Sequence, residues 1–242
     1  MSGAIDERVE RFDSIEAMAT AASCRVVDHI RAGFRRRGRA SLALAGGRTP
    51  LRIYEELSRW PLRWEWVDIV PTSERWVSRL SLERNGAVIR AKLLKNEAAA
   101  ANYHPLIEPW ETDPGHNALM WATAKAEETV SRLGRLDLAL LGMGADGHVA
   151  SLFAANPAAR ALLDPDGPRS CLLTPPAPPG PRQPRITLTF AKIAAARHVV
   201  VVIRGEQKLE ALRRAWSGAG PPSAIGALLQ QHRTPVEVLW AP

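Results

Sequence analysis

Apolar residues follow two alternating patterns along the chain, one with helical spacing and one in short continuous runs. The helical pattern is clearest between Asp13 and Phe34, where apolar positions recur every three or four residues. Similar segments predict further helices at Gly86–Leu94, Asn117–Leu133 and Glu206–Trp216, and one that begins at or just after Pro50. The short apolar runs predict buried strands at Ser41–Ala45, Val67–Val70, Leu136–Leu141, Val199–Ile203 and Val236–Trp240.

This alternation predicts an α/β fold, with a doubly wound, mostly parallel, Rossmann-like sheet and helices on both faces. The chain has 242 residues, and we expect residues 1–242 to form a single domain. The segment Arg185–Phe190 fits either a short strand or a turn into a helix. The proline-rich stretch Pro165–Pro184 predicts a long, stiff connection on the surface.

The composition is typical of a soluble globular protein, with 46% hydrophobic and 24% charged residues. No apolar run approaches the roughly 18 residues of a membrane span, and the polar N-terminus lacks the features of a secretory signal. Cys24 and Cys171 form neither a metal-binding spacing nor a disulfide framework. We therefore expect a cytoplasmic protein that binds no metal and no membrane.

The net charge of +7 raises the question of nucleic-acid binding. The basic residues are spread along the chain, except for five arginines between Arg31 and Arg39 at the end of the first predicted helix. Cations are favourable at that end of a helix, so we interpret this cluster as a solvated helix terminus. The general excess of positive charge suits a small anionic substrate, and we expect no nucleic-acid partner.

Two glycine-rich turns follow predicted strands, at the sheet edge where α/β proteins bind ligands. In the first turn, Gly46 and Gly47 allow a close backbone approach, and Arg48 and Thr49 add polar groups before a helix start. This turn fits a phosphate-binding loop, although strand-to-helix packing alone also favours glycine. It is not a nucleotide P-loop, because the GxxxxGK[ST] spacing is absent.

The second turn is Gly142–Phe153, with the sequence GMGADGHVASLF. Gly144 and Gly147 free the backbone around His148, and histidine is the residue type most often used to take a proton from water. Asp146 is close enough in sequence to steer the loop or to polarise the imidazole. A lone histidine often serves packing or capping, but a histidine inside a strand-ending glycine loop favours a catalytic role.

Three basic residues follow or flank predicted strands and suit a phosphorylated ligand, namely Arg75, Arg185 and Lys208. Each of them alone is typical of a surface charge, because the chain holds 32 lysines and arginines. Their common position near strands favours a shared binding site.

Together these motifs resemble the 6-phosphogluconolactonase family over most of the chain. The GMGxDGHxASLF signature is the most specific of the four family patterns. Gly46–Pro50 resembles the GG-x-TP pattern, and Thr72–Val77 with Asn85 resembles DERxV…SN. Gly142–Phe153 resembles GMGxDGHxASLF, and Arg185–Thr189 with Gly205–Lys208 resembles RITLT…GxxK.

The resemblance implies hydrolysis of 6-phosphoglucono-δ-lactone to 6-phosphogluconate in the pentose phosphate pathway, without metal or organic cofactor. It implies that His148 is the general base. We expect the phosphate to lie over residues 46–49, with Arg185 and Lys208 as its cationic partners and Arg75 at the sugar or the phosphate. The chain has no G-x-S-x-G motif, which disfavours a serine acyl-enzyme.

Three positions depart from the family pattern. Ser73 stands where the DER segment has aspartate, Arg84 stands where the SN pair has serine, and Ala154 stands where proline often follows SLF. The missing aspartate could have positioned Arg75 or contacted a sugar hydroxyl. Ser73 therefore leaves the fine substrate geometry open.

Two other functions are compatible with parts of the sequence. Glucosamine-6-phosphate deaminases share the GG-x-TP turn and a related glycine–histidine loop, but they carry a catalytic acid after the histidine, where this chain has Val149–Phe153. The second is a non-catalytic sugar-phosphate sensor; such sensors usually carry a helix-turn-helix domain, which we do not expect here. The oligomeric state is open between a monomer and a weak homodimer.

Overall fold

The computed structural model describes residues 3–78, 80–108, 116–153, 161–176 and 182–242. In these ranges the strands are β1 (Val9–Arg11), β2 (Ala40–Leu44), β3 (Val67–Pro71), β4 (Ser73–Arg75), β5 (Asn102–Tyr103), β6 (Leu138–Gly142), β7 (Cys171–Thr174), β8 (Arg185–Leu188), β9 (Val199–Arg204) and β10 (Val236–Ala241). The α-helices are α1 (Gly3–Asp6), α2 (Ile15–Arg37), α3 (Leu51–Leu57), α4 (Asn85–Lys92), α5 (His116–Arg132), α6 (Phe190–Ala194), α7 (Glu206–Ser217) and α8 (Ala224–Gln230). Short 3₁₀ helices occupy Trp64–Trp66 and Asn96–Ala100.

Seven strands form a parallel sheet in the order β1-β10-β9-β6-β2-β3-β5. Alternate residues of each central strand enter two separate apolar clusters, so that Leu42 and Leu44 lie in one cluster and Ala43 in the other. The first cluster includes buried residues of α2, α3 and α4, and the second includes residues of α5, α7 and α8. Both faces are therefore covered by helices, which confirms the predicted α/β class and its doubly wound sheet.

Helix α2 shows how local sequence sets the element bounds. The hydroxyl of Ser14 accepts a hydrogen bond of 3.1 Å from the N–H of Ala17, and such a cap stabilises a helix by about 1 kcal/mol. Gly38 ends the helix with a φ of +74°, and its N–H donates to the carbonyl of Phe34. The helix thus extends three residues beyond the periodic apolar pattern, because the left-handed glycine sets its end.

Two arginines at the end of α2 form ion pairs with a buried carboxylate. Asp137 is fully buried, and its carboxylate lies 2.8 Å from Arg36, 2.5 Å from Arg37 and 3.5 Å from Arg197. It also accepts a hydrogen bond of 2.8 Å from the N–H of Ser41. Arg36 and Arg37 are exposed, as the interpretation of a solvated helix terminus expects, and they also tie α2 to the amino end of the sheet.

A second, three-stranded antiparallel sheet has the order β4-β8-β7. Strand β7 lies inside the stretch that the sequence predicted to be a stiff surface connection, so that prediction is wrong for Cys171–Thr174, where Cys171 is buried. The strand is only four residues long and stands between prolines, which hid it. The segment Arg185–Phe190 satisfies both of its alternatives, because β8 leads directly into α6.

The predicted elements agree with the observed ones to within a few residues, and the short β1, β4, β5, β7, α1 and α8 were not predicted. Within the described ranges, no helix combines the length and the apolar character needed to cross a membrane. Strands β9, β6, β2 and β3 are neighbours in the parallel sheet, so the segments that follow them meet at one edge.

Candidate active site

The segments that follow β2, β3, β6 and β9 surround a cavity of about 420 Å³, and Arg185 of β8 closes one side of it. Most of the residues predicted to form a site line this cavity: Gly46, Gly47, Arg48, Thr49, Arg75, Gly144, His148, Arg185 and Lys208. Two predicted residues lie outside its wall. Asp146 contacts His148, and Gly147 has a φ of +80° and packs against Ser223.

The turn between β2 and α3 forms one wall of the cavity. Gly46 lies against Asn85, because a Cβ atom at Gly46 would be 1.9 Å from Oδ1 of Asn85. Gly47 has a φ of +90°, in the left-handed region that favours glycine. In the described part of the chain, the N–H groups of residues 46–49 donate no hydrogen bond to another group. The turn therefore presents backbone donors suited to an anion.

The loop after β6 orients the imidazole of His148. Its Nδ1 lies 2.5 Å from Oδ1 of Asp146, which favours the tautomer with the proton on Nδ1 and leaves Nε2 as the basic nitrogen. The ring packs on Phe153 at a centroid distance of 4.3 Å. It also covers Gly144, where a Cβ atom would lie 2.3 Å from Nδ1.

The carboxyl group of Asp146 is set up to stay ionised. Burial raises its pKa, but the hydrogen bond and the charge of His148, together with backbone hydrogen bonds, outweigh burial, so the pKa lies below the ordinary value of 3.8. An ionised carboxylate at this position stabilises the imidazolium that forms when His148 takes a proton. The pair has the geometry of a general base and its orienting partner.

The turn after His148 is strained. Ala150 and Ser151 have φ values of +48° and +62°, a region that costs about 1–2 kcal/mol per L-residue. Thr187 of β8 offsets part of this cost, because its hydroxyl donates to the carbonyl of Ala150. The N–H of Leu152 closes the turn onto the carbonyl of Val149 at 2.8 Å. The strained backbone places Ser151 in the cavity wall.

A chain of hydrogen bonds links two arginines of the cavity. Nη1 of Arg185 donates to Oγ of Ser151 at 3.1 Å, and that hydroxyl donates to Oγ of Ser73 at 2.8 Å. Nδ2 of Asn85 donates to the carbonyl of Ser73 at 2.6 Å and to its Oγ at 3.3 Å. Oδ1 of Asn85 accepts from Nη1 of Arg75 at 2.8 Å. Every residue between the two cationic ends is neutral.

The four cations of the cavity divide into two pairs. Burial and then the charge of Arg48 lower the pKa of Lys208. Burial and then the charge of Arg75 lower the pKa of Arg185 to about 10. Arg75 and Arg185 are also cross-strand partners of β4 and β8. Arg185 and Lys208 both line the cavity, and their expected pairing around one phosphate stays a prediction.

Among the described residues that line the cavity, none is aspartate or glutamate. The nearby Glu74 is buried, and its carboxylate accepts hydrogen bonds of 2.8 Å from the N–H groups of Arg75, Asn85 and Gly86. Arg84 also lies against it, with Nε at 3.7 Å. Glu74 and Arg84 therefore fix the segment that carries Asn85, and the cavity wall is positively charged.

The polar side chains of Ser151 and Asn85 lie in the cavity wall but were not predicted as site residues, although both lie in predicted motifs. Ser151 belongs to the glycine–histidine loop and Asn85 belongs to the DERxV…SN segment. Neither side chain titrates near neutral pH or carries charge, so a search for acids, bases and cations passes over them. The departure at Ala154 lies outside the described residues.

Residues 13–240 match the sequence model of the family described as glucosamine-6-phosphate isomerases/6-phosphogluconolactonase. The chain belongs to this family. A 6-phosphogluconolactonase of Mesorhizobium japonicum is 37% identical over 237 residues, covering 96% of this chain and 94% of its own. That of Caulobacter vibrioides is 33% identical over 234 residues, or 97% of each chain. A crystal structure of a 6-phosphogluconolactonase from Shewanella baltica has a TM-score of 0.85 at 30% identity and covers 97% of both chains.

Membership of the glucosamine-6-phosphate isomerase/6-phosphogluconolactonase family confirms the resemblance inferred from the motifs. Within this family pattern, Ser73 is a neutral residue at a position that carries an aspartate. The side chain of Ser73 is buried and accepts hydrogen bonds from Ser151 and Asn85. Among the described residues of the cavity wall, no acid takes the place of the aspartate in the DERxV pattern.

Proposed function

We propose that this chain is a 6-phosphogluconolactonase, which hydrolyses 6-phosphoglucono-δ-lactone to 6-phosphogluconate in the pentose phosphate pathway. The observation that carries the proposal is the His148–Asp146 pair at a cavity whose wall holds four cations and, among its described residues, no carboxylate. A base with an orienting aspartate suits activation of water, and the cations suit a phosphorylated substrate. The relatives from Mesorhizobium japonicum and Caulobacter vibrioides carry the name of this activity.

The phosphate binds at the turn formed by residues 46–49, beside Arg48 and Lys208. This turn presents backbone N–H groups, and Thr49 adds a hydroxyl at the cavity wall. Lys208 is half-buried next to Arg48, and the repulsion between them is relieved when a dianion lies between them. The sugar ring then extends across the cavity towards His148.

Hydrolysis proceeds in two proton-transfer steps at His148. Nε2 takes a proton from a water molecule as the water oxygen bonds to C1, and the carbonyl electron pair moves onto its oxygen. The oxyanion then reforms the carbonyl, the bond between C1 and the ring oxygen breaks, and the imidazolium returns its proton to that ring oxygen. The product acid loses a proton to solvent at neutral pH, so one lactone and one water give one carboxylate and one proton.

A covalent serine intermediate does not fit this arrangement. The serine hydroxyls of the cavity belong to Ser73 and Ser151, and the hydroxyl of Ser151 donates to Ser73 and not to His148. A nucleophilic serine needs a base that takes its proton. Direct attack by water is therefore the mechanism that the geometry supports.

The rival function, deamination of glucosamine 6-phosphate, calls for an acid that opens the sugar ring. The residues after His148 are Val149–Phe153, which include no carboxylate. The position of the acid in the deaminase A-F-N-E pattern is held by Phe153. The deaminase reaction is correspondingly disfavoured.

The test follows acid release from freshly prepared 6-phosphogluconolactone, above its spontaneous hydrolysis, with ammonia release from glucosamine 6-phosphate measured in parallel. We expect lactone turnover and no ammonia. His148→Ala should lower kcat by about 10²–10⁴-fold, while His232→Ala, at an exposed position away from the cavity, should leave it unchanged. Ammonia release would instead identify a deaminase. Binding of 6-phosphogluconate without either reaction would identify a sensor.

We further propose that residues 1–242 act as one catalytic domain in the cytoplasm, where the sugar phosphates of this pathway are metabolised. The cavity is built from described segments of a single chain, so the proposed chemistry needs no second subunit. Light scattering across a concentration series should find a monomer or a weak homodimer.

A further inference from the structure

Arg185 lies on the side of the cavity that holds the base. Its guanidinium carbon is 5.6 Å from the ring centroid of Phe153, and the imidazole of His148 packs on the same ring. Arg48 and Lys208 border a separate cavity together with Arg204. Arg48 also borders a cavity with Arg75 and Arg185, which Lys208 does not line. Lys208 therefore lies at one end of the site and the Arg75–Arg185 pair at the other, with Arg48 between them.

One edge of the Arg185 guanidinium, formed by Nε and Nη2, is available to a ligand. Nη1 donates to Ser151, which fixes the orientation of the plane. Nε is buried, and among the described residues it has no hydrogen-bond partner. Nε and Nη2 form the edge of an arginine that grips a carboxylate with two parallel hydrogen bonds. A buried donor without a partner is costly, so this edge is suited to an anion that arrives with the substrate.

The charges around Arg185 also favour the binding of an anion. Arg75 is its cross-strand partner, and in the described part of the chain neither arginine lies within 4.0 Å of a carboxylate oxygen. Glu74 and Glu83 are the carboxylates whose charge reaches Arg185. Both carboxylate oxygens of Glu74 already accept backbone hydrogen bonds. Two adjacent cations without a paired carboxylate are stabilised by a bound anion.

We infer that Arg185, with Arg75 beside it, forms a second anion subsite that holds the negative charge at C1 of the substrate. In the attack step this charge is the oxyanion that forms as His148 takes the proton from water. After ring opening it is the carboxylate of the product, whose two oxygens match the Nε–Nη2 edge of Arg185. The subsite thus stabilises the transition state and also recognises the product. The inference rests on the proposed function, because it assumes that the phosphate lies at Arg48 and Lys208.

Two open-chain ligands test the subsite by isothermal titration calorimetry, independently of turnover. 6-Phosphogluconate and glucitol 6-phosphate share the phosphate and the hydroxyls, and they differ only by a carboxylate or a CH₂OH group at C1. The wild type should bind 6-phosphogluconate roughly tenfold or more tightly than glucitol 6-phosphate, as expected for charge-assisted hydrogen bonds. Arg185→Gln should bring the two affinities to within about threefold of each other, by weakening 6-phosphogluconate only.

Matched variants separate the two subsites. Lys208→Gln should weaken both ligands by the same factor and keep their ratio, because it removes a phosphate contact. Arg185→Lys keeps the charge but loses the bidentate edge, so the ratio should fall to an intermediate value even if the glutamine variant folds poorly. Arg132→Gln, whose side chain is 75% exposed on α5, controls for the loss of one positive charge and should change neither affinity.

Equal weakening of both ligands in Arg185→Gln would place Arg185 at the phosphate and overturn the inference. Unchanged affinities in that variant would also overturn it. A wild type that discriminates between the ligands, but does not accelerate lactone hydrolysis, would contradict the proposed function and leave the second anion subsite standing. The two failures are therefore distinguishable.

Discussion

The hydroxyl of Ser151 donates a hydrogen bond of 2.8 Å to the hydroxyl of Ser73, across 78 residues of sequence. Ser151 belongs to the loop that carries His148, and Ser73 belongs to β4 of the small antiparallel sheet. The bond joins the loop of the proposed base to the strands that carry Arg75 and Arg185. The loop of His148 and the two arginines are thereby held in one hydrogen-bond network. Within this network, the neutral Ser73 occupies the position where the family pattern has aspartate.

The contact between Asp146 and His148 gives a first prediction. Asp146→Asn keeps a carbonyl oxygen as acceptor for Nδ1 but removes the charge that stabilises the imidazolium. We expect kcat to fall by about 10–100-fold, as for the loss of a charged hydrogen-bond partner worth about 1.5–3 kcal/mol, with unchanged binding of 6-phosphogluconate. Initial rates of lactone hydrolysis and calorimetry measure the two quantities. Asp166→Asn, whose carboxylate is 73% exposed, is the control.

The pH dependence of this contact has a definite sign. The pKa of Asp146 lies below its ordinary value of 3.8 in the folded protein. The stabilisation from the ionised carboxylate is therefore complete above that value and is lost only as the pH falls through the lowered pKa. Asp146 stays ionised between pH 6 and pH 8, so Asp146→Asn should lower kcat throughout this range. A factor that disappears at the upper end of this range would contradict the assigned role.

Gly144 gives a second prediction, because the imidazole of His148 covers it. In Gly144→Ala the new Cβ atom would lie 2.3 Å from Nδ1 and from Cε1 of His148, so the ring has to move. A displacement of about 1 Å costs on the order of 10²-fold in rate, and we expect this loss in kcat with little change in phosphate affinity. Gly220→Ala is the matched control, because a Cβ atom there meets nothing within 4 Å. Equal rates in the two variants would show that the ring position is not critical.

The sequence predicts the central architecture well, because buried parallel strands are continuous apolar runs and their flanking helices are amphipathic. Strand β9, for example, is fully apolar from Val199 to Ile203 and was predicted almost to its ends. The small antiparallel sheet could not be predicted in the same way. Its strands have three or four residues, and β4 contains Ser73 and Arg75, which show no apolar alternation.

Part of the candidate site could be predicted from the sequence, and part of it could not. Glycines, His148 and the cations could be predicted, since their chemistry is evident from residue type and from their position after strands. The partners of each group depend on tertiary pairing. The register between β4 and β8 places Arg75 opposite Arg185, and the strained turn at Ser151 depends on a hydroxyl from Thr187, 37 residues away from Ala150. No local pattern contains either relationship.

Asp137 gives a prediction about stability. Its carboxylate is fully buried against the partly exposed Arg36, Arg37 and Arg197, and the loss of a charged hydrogen-bond partner typically costs about 1.5–3 kcal/mol. Asp137→Asn should lower the free energy of unfolding by that amount in urea titrations. It should leave kcat of the folded protein unchanged, because the cluster lies at the amino end of the sheet. Asp28→Asn, with its carboxylate 75% exposed, should unfold like the wild type.

Ser73 gives the last prediction, since it separates this chain from the family pattern. In Ser73→Asp the new carboxylate stands where Ser151 and Asn85 already donate hydrogen bonds. It accepts these bonds, so the variant should fold. Its charge offsets that of Arg75 and Arg185, which are linked to Ser73 through the same network.

The affinity of Ser73→Asp for 6-phosphogluconate should therefore fall by roughly tenfold, the equivalent of about 1.4 kcal/mol, while the affinity for glucitol 6-phosphate changes much less. Ser73→Asn, which adds similar volume without charge, is the matched control and should keep the wild-type ratio. Calorimetry at low and high ionic strength checks the cause, because an effect of charge in this partly exposed cavity weakens as salt is added. If the aspartate variant bound both ligands as the wild type does, the charge at position 73 would have no influence on the cations of the cavity.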